Sequence, residues 1–148
     1  MTGYSESTRT LDEMRNCEFL PFVSGIKAEV DFIMVSHMTP VNATEEKVPA
    51  SVSKEIITDG LKTELGYSGI VITDAFNMGA VTEKYTAGEA AVKAVKAGVD
   101  MILMTPDLNA AHSAIKEAVN SGEITEERIV ESVRKIIALK VEKGMFEG

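Results

Sequence analysis

The sequence predicts an α/β fold in which about three parallel strands alternate with helices. Three short apolar runs, Phe32–Val35, Ile70–Thr73 and Met101–Met104, have the length and composition of buried strands. A helical pattern follows each run, and the unit recurs at a spacing of roughly 30 to 37 residues, the period of a βα repeat. Such alternation implies parallel strands joined by right-handed crossovers.

The elements follow in order. Thr10-Leu11-Asp12-Glu13 is a capping box, and the helix it opens is expected to run to about Phe22. Phe32–Val35 is continuously apolar, which predicts a strand covered on both faces. A loop with Pro40 and Pro49 leads to a helix near Ser53 to Glu64, and Gly66 and Gly69 punctuate its exit. The second strand is Ile70–Thr73. Thr86 and Glu89 form another capping box, opening an amphipathic helix that ends at Gly98. The third strand, Met101–Met104, precedes a helix near Leu108 to Asn120 that Gly122 stops. A last helix, about Glu126 to Lys143, carries Ile129, Val133, Ile136, Ile137 and Val141 on one stripe. No linker or low-complexity stretch interrupts the 148 residues, which read as one domain. Three strands would leave two apolar edges open, so the chain reads as a piece of a larger sheet.

Composition narrows the function classes. The net charge of −8 lacks the basic stripe that nucleic acid requires. No apolar run is long enough for a membrane span, and the opening MTGYSESTRT is too polar for a signal peptide. The lone cysteine, Cys17, rules out an internal disulfide and is expected to be a buried thiol. No His/Cys/carboxylate cluster has ligand spacing, and no cofactor is expected.

Reactive groups of α/β folds sit at the carboxyl ends of parallel strands. Those ends carry His37, Asp74 and the run Thr105-Pro106-Asp107. Two readings stay open for Asp74, a pocket carboxylate and a cap of the following helix. Two also stay open for His37, a site residue and a hydrogen-bonded structural one. Asp107 directly precedes a helix and reads as its cap; His112 lies on an exposed helical face. A phosphoacceptor domain would need an acidic pair after its first strand and a lysine after its last. Here Ser36-His37 and Thr105-Pro106 stand there instead.

Several ordered blocks carry a resemblance: IMVSHMTP, then VPASVSKEIITDGLKTELGYSGIVITDAFNMGAV, then YTAGEAAVKAVKAGVDMILMTPD, and RIVESVRKIIALKVEKGMF. Together they resemble the second part of the catalytic barrel of family 3 glycoside hydrolases, in particular the β-N-acetylhexosaminidase branch. The resemblance implies a partial TIM (β/α)8 barrel and a retaining hydrolase of β-linked N-acetylglucosamine or glucose. It implies that Asp74 is the catalytic nucleophile and that His37 and Met78 line the sugar subsite. A retaining glycosidase also needs an acid/base roughly 5 to 5.5 Å from the nucleophile. The family's Lys-His-Phe-Pro-Gly-type sugar motif and its Asp-x-His acid/base dyad do not occur here, and Thr2-Gly3-Tyr4 resembles the sequence just after the dyad loop. The expectation is therefore a C-terminal barrel segment that is inactive alone and associates with itself or with a missing barrel half.

Overall fold

The computed structural model describes residues 5–146. Thr2-Gly3-Tyr4 lies outside the described residues. Three parallel strands form the central sheet in the order β2-β4-β5: β2 (Phe32–Val35), β4 (Ile70–Ala75) and β5 (Met101–Leu103). β2 and β4 pair in continuous register from Phe32 opposite Ile70 to Val35 opposite Thr73. β4 runs two residues past the expected end and carries Asp74 within it. β5 stops one residue early, because Met104 adopts a left-handed backbone at φ 49°.

A second, two-stranded parallel sheet joins β1 (Glu6–Thr10) to β3 (Thr39–Asn42). Neither strand was legible as such. Glu6–Thr10 reads ESTRT, polar and mostly exposed, so no alternation marks it. β3 contains Pro40, which normally demotes a strand.

The first helix is broken in two, α1 (Leu11–Arg15) and α2 (Phe19–Lys27). Pro21 explains the break. In one continuous helix its ring would meet the carbonyl of Cys17, whereas the first turn of α2 needs no amide hydrogen there. Cys17 sits at this break and is exposed, contrary to the expected buried thiol.

The helix after β3 is wound as a π-helix, Glu55–Glu64, where Leu65 N–H reaches back five residues to the Gly60 carbonyl. α3 (Gly79–Thr82), α4 (Ala87–Ala97), α5 (Leu108–Asn120) and α6 (Glu126–Glu142) complete the chain. Both capping boxes form. Gly98 ends α4 at φ 111°, and a Cβ there would stand 2.6 Å from Thr58 Oγ1, so only glycine fits.

The core lies between one face of the sheet and the helices. Ile33, Val35 and Val71 pack there against Ile57, Leu61, Phe76, Val81 and Val99. The expectation that β2 is covered on both faces is corrected. Its side chains alternate, with Ile33 and Val35 buried but Phe32 46% and Met34 50% exposed. Among the described residues helices cover only one side, which leaves Phe32 and Met34 exposed on the other.

α6 runs beneath the amino-terminal ends of all three strands. Arg128 donates to the Val99 carbonyl before β5 (2.7 Å), Lys135 to the Gly69 carbonyl before β4 (3.4 Å), and Lys143 pairs with Asp31 before β2 (3.0 Å). At the same end the side chain of Asp100 is fully buried. Its carboxylate accepts from Ser132 Oγ at 2.6 Å and Val71 N at 3.0 Å, with Arg128 and Lys135 each at 3.5 Å and Lys62 at 3.8 Å.

Candidate active site

The opposite, carboxyl-terminal rim collects His37 after β2, Asp74 within the last turn of β4, and Met104 after β5. The β4–β5 ladder shifts register between Ile72 and Ala75, which places the irregularity at Thr73–Asp74. Such irregularities re-aim a side chain and end pairing. Two hydrogen bonds mend the ladder around it. Leu103 N donates to Thr73 Oγ1 (3.1 Å), and Phe76 N donates to the Leu103 carbonyl (2.9 Å).

Asp74 is partly exposed at this point. One carboxylate oxygen, Oδ1, accepts from the next backbone amide, Ala75 N, at 2.7 Å. Among the described residues the carboxylate has no ion-pair partner. Asp74 does not cap the following helix: the N-cap of α3 is Met78, without a side-chain cap bond. Of the two sequence readings of Asp74, the helix-cap reading has no support in this geometry.

His37 is buried, and both ring nitrogens bond within the protein. Nε2 lies 2.9 Å from the Ala75 carbonyl and Nδ1 2.8 Å from Ser51 Oγ. A carbonyl can only accept, so Nε2 carries the proton; in the neutral ring Nδ1 then accepts from the Ser51 hydroxyl. The ring also tilts against Phe76, centroids 5.6 Å apart. His37 thus holds the carbonyl of Ala75, the residue that follows Asp74. The resemblance places His37 in the sugar subsite, and its Nε2 donor is engaged by this carbonyl.

Met78 is 43% exposed in the turn after β4. Asp107 caps α5, accepting from Ala110 N at 2.9 Å, and His112 is exposed on that helix. Three contributors to this rim escaped the sequence reading: Thr73, Ser51 and Met104. Thr73 is a polar residue in an apolar run, which is a faint signal. Ser51 lies in the loop after Pro49, and nothing in its neighbourhood points to His37. Among the described residues no group of three or more His, Cys, Asp or Glu could hold a metal ion.

Comparison with known proteins bears on this geometry. The model of the glycosyl hydrolase family 3 N-terminal domain matches residues 2–139. A β-N-acetylglucosaminidase/β-glucosidase of Cellulomonas fimi is 28% identical over 97% of this chain and 27% of its own length. A secreted glycosyl hydrolase of Arthroderma benhamiae, itself uncharacterized, is 35% identical over 88% of this chain and 38% of its own. Among solved structures, a family 3 β-N-acetylglucosaminidase from Paenibacillus sp. str. FPU-7 superposes with a TM-score of 0.91 at 36% identity, over 97% of this chain and 28% of that one. The chain therefore spans between about a quarter and two-fifths of the length of these relatives.

Proposed function

The chain belongs to glycosyl hydrolase family 3, and from that premise we propose that it carries the nucleophile of a retaining β-N-acetylhexosaminidase, Asp74, without a complete acid/base and sugar-binding set. The observation that carries the reading is the position of Asp74, partly exposed at the carboxyl-terminal rim of the central strand β4.

The chemistry suits the residue. In a retaining mechanism one carboxylate attacks the anomeric carbon and forms a glycosyl-enzyme; a second group first protonates the departing oxygen and then activates water. The attacking group is a carboxylate oxygen, and the Ala75 amide donating to Oδ1 fixes the orientation of the Asp74 side chain. His37 fixes the Ala75 carbonyl and acts as a positioning residue. Met78 supplies an apolar wall beside the sugar. On this reading a separate barrel segment supplies the second catalytic group, because the sequence shows no acid/base dyad of the expected type. The substrate class is a β-linked N-acetylglucosaminide or glucoside.

An activated aryl glycoside tests this, because its leaving group needs no proton. The chain alone is expected to be inactive. Adding a separately expressed upstream barrel segment of the Paenibacillus relative should restore turnover, and Asp74→Ala in that pair should abolish it. Restored turnover that survives Asp74→Ala would reject the nucleophile assignment. Robust hydrolysis of an unactivated disaccharide by the chain alone would reject the missing acid/base.

A second reading is a non-catalytic barrel fragment that pairs with itself or with a missing half. The open face at Phe32 and Met34 favours pairing. Failure of every upstream segment to restore turnover, with association intact, would favour this reading over the first.

A further inference from the structure

Met104 is one of two non-glycine residues at positive φ among the described residues. Such a backbone crowds the Cβ and persists only where the surroundings impose it, often at ligand sites. Burial does not offset the strain, for Met104 is 59% exposed. The neighbouring bonds impose it instead: both backbone groups of Leu103 are tied to β4, at Thr73 Oγ1 and Phe76 N, on either side of Asp74 and Ala75. On the other flank the Thr105 hydroxyl is buried without a hydrogen-bond partner. A strained backbone and an exposed apolar side chain at Met104, followed by an unpaired hydroxyl at Thr105, are each unfavourable for the chain by itself. All three fall on the segment after β5, next to the end of β4 and the turn that carry Asp74 and Met78.

We propose that Met104 is a specificity-determining wall of the sugar site, standing across the rim from Met78 and selecting N-acetylated pyranoses. This rests on the reading of Asp74 as the sugar-facing nucleophile. A pyranose has apolar C–H faces, and an N-acetyl group adds a methyl. Thioether side chains are polarisable and adaptable enough to follow both surfaces. One added carbon in an apolar pocket is worth about 10- to 200-fold in discrimination.

Methionine-methyl NMR of the full chain tests this. Resonances of Met78, Met104 and Met145 are assigned by Met→Leu substitution, and N-acetylglucosamine or glucose is titrated in. Met145, exposed beyond α6, serves as the remote control. The Met78 and Met104 signals should move along one saturation curve while Met145 stays fixed. N-acetylglucosamine should bind about tenfold tighter than glucose. Met104→Gly should reduce that preference below about threefold without lowering the unfolding midpoint, since glycine accepts positive φ. Movement of Met78 with Met104 silent overturns the wall and leaves the Asp74 reading standing. Silence of both overturns the wall, and the Asp74 reading is then judged separately by loss of the restored aryl glycoside turnover in Asp74→Ala. A Met104→Gly chain that keeps the full preference overturns the selection of N-acetylated sugars.

Discussion

His37 and Asp74 are joined through a single residue, Ala75, at the rim of the sheet. The imidazole Nε2 holds the Ala75 carbonyl at 2.9 Å, and the Asp74 carboxylate accepts from the Ala75 amide at 2.7 Å. The histidine therefore acts on the aspartate through the backbone between them. Removing the ring as His37→Ala leaves the part-buried Ala75 carbonyl and the buried Ser51 hydroxyl unpaired, at about 1–3 kcal/mol each. Ser51→Ala removes only one bond and should cost about 1 kcal/mol. Urea denaturation that ranks the two variants equally would contradict this arrangement.

Asp100 anchors the opposite end. Its buried carboxylate faces three cations, so Asp100→Ala strands their charge and should cost about 3 kcal/mol, the low end for a broken buried pair because the cations are partly exposed. The exposed pair Lys96–Glu123 is the contrast: Lys96→Ala should change stability by less than about 1 kcal/mol. Denaturant midpoints check both. Equal effects would mean that the Asp100 network does not hold α6 beneath the strands.

The same network makes stability depend on pH in two windows. Burial would raise the Asp100 pKa, but the Ser132 and Val71 hydrogen bonds and the Lys62 and Lys135 charges hold it below the usual carboxylate range. Its stabilisation is therefore present above its unfolded pKa and lost as pH falls through the folded one. Lys62 behaves differently. Burial lowers it to about 8 despite the attraction of Asp100. Between about 8 and 10.5 the unfolded chain binds more protons at this residue, so stability should rise with pH, by up to ~1.4 kcal/mol per unit. Unfolding midpoints at pH 8 and 9.5 measure it. A Lys62→Met chain that keeps the same rise would assign it to another group.

Much of this architecture was legible because local signals agreed with the global fold. Phe32–Val35 and Leu108–Asn120 fall where the apolar run and the cap at Asp107 put them. What stayed hidden depended on partners distant in sequence. β1 is a strand only because the Thr39 region lies beside it, and its own residues carry no β pattern. The break at residues 16–18 was legible in Pro21, but the capping box at Thr10 suggested one continuous helix. At the site, the strand-end positions of His37 and Asp74 could be read directly. That both nitrogens of His37 are engaged could not, because Ser51 and Ala75 reach it only through the fold. Met104 hid for another reason: its distinction is a backbone angle, and methionine carries no preference for positive φ.

Association of the chain is the remaining consequence. The sheet ends in two strands with a free edge each, β2 and β5, and its uncovered face displays Phe32 and Met34. Open apolar edges and faces of this kind drive self-pairing unless covered. Light scattering across a concentration series should therefore show mass above the 16.0 kDa monomer, rising with concentration. Replacing Phe32 and Met34 together by lysine should shift the population to monomer. Helicity should stay unchanged, because neither side chain enters the core between sheet and helices. α6 offers the competing surface, since Val133, Ile137 and Val141 are also exposed there. If Ile137→Lys yields monomer while the Phe32/Met34 variant still associates, the contact runs through α6 and not through the sheet. A wild-type chain that remains a compact monomer at every concentration would mean that neither surface drives association.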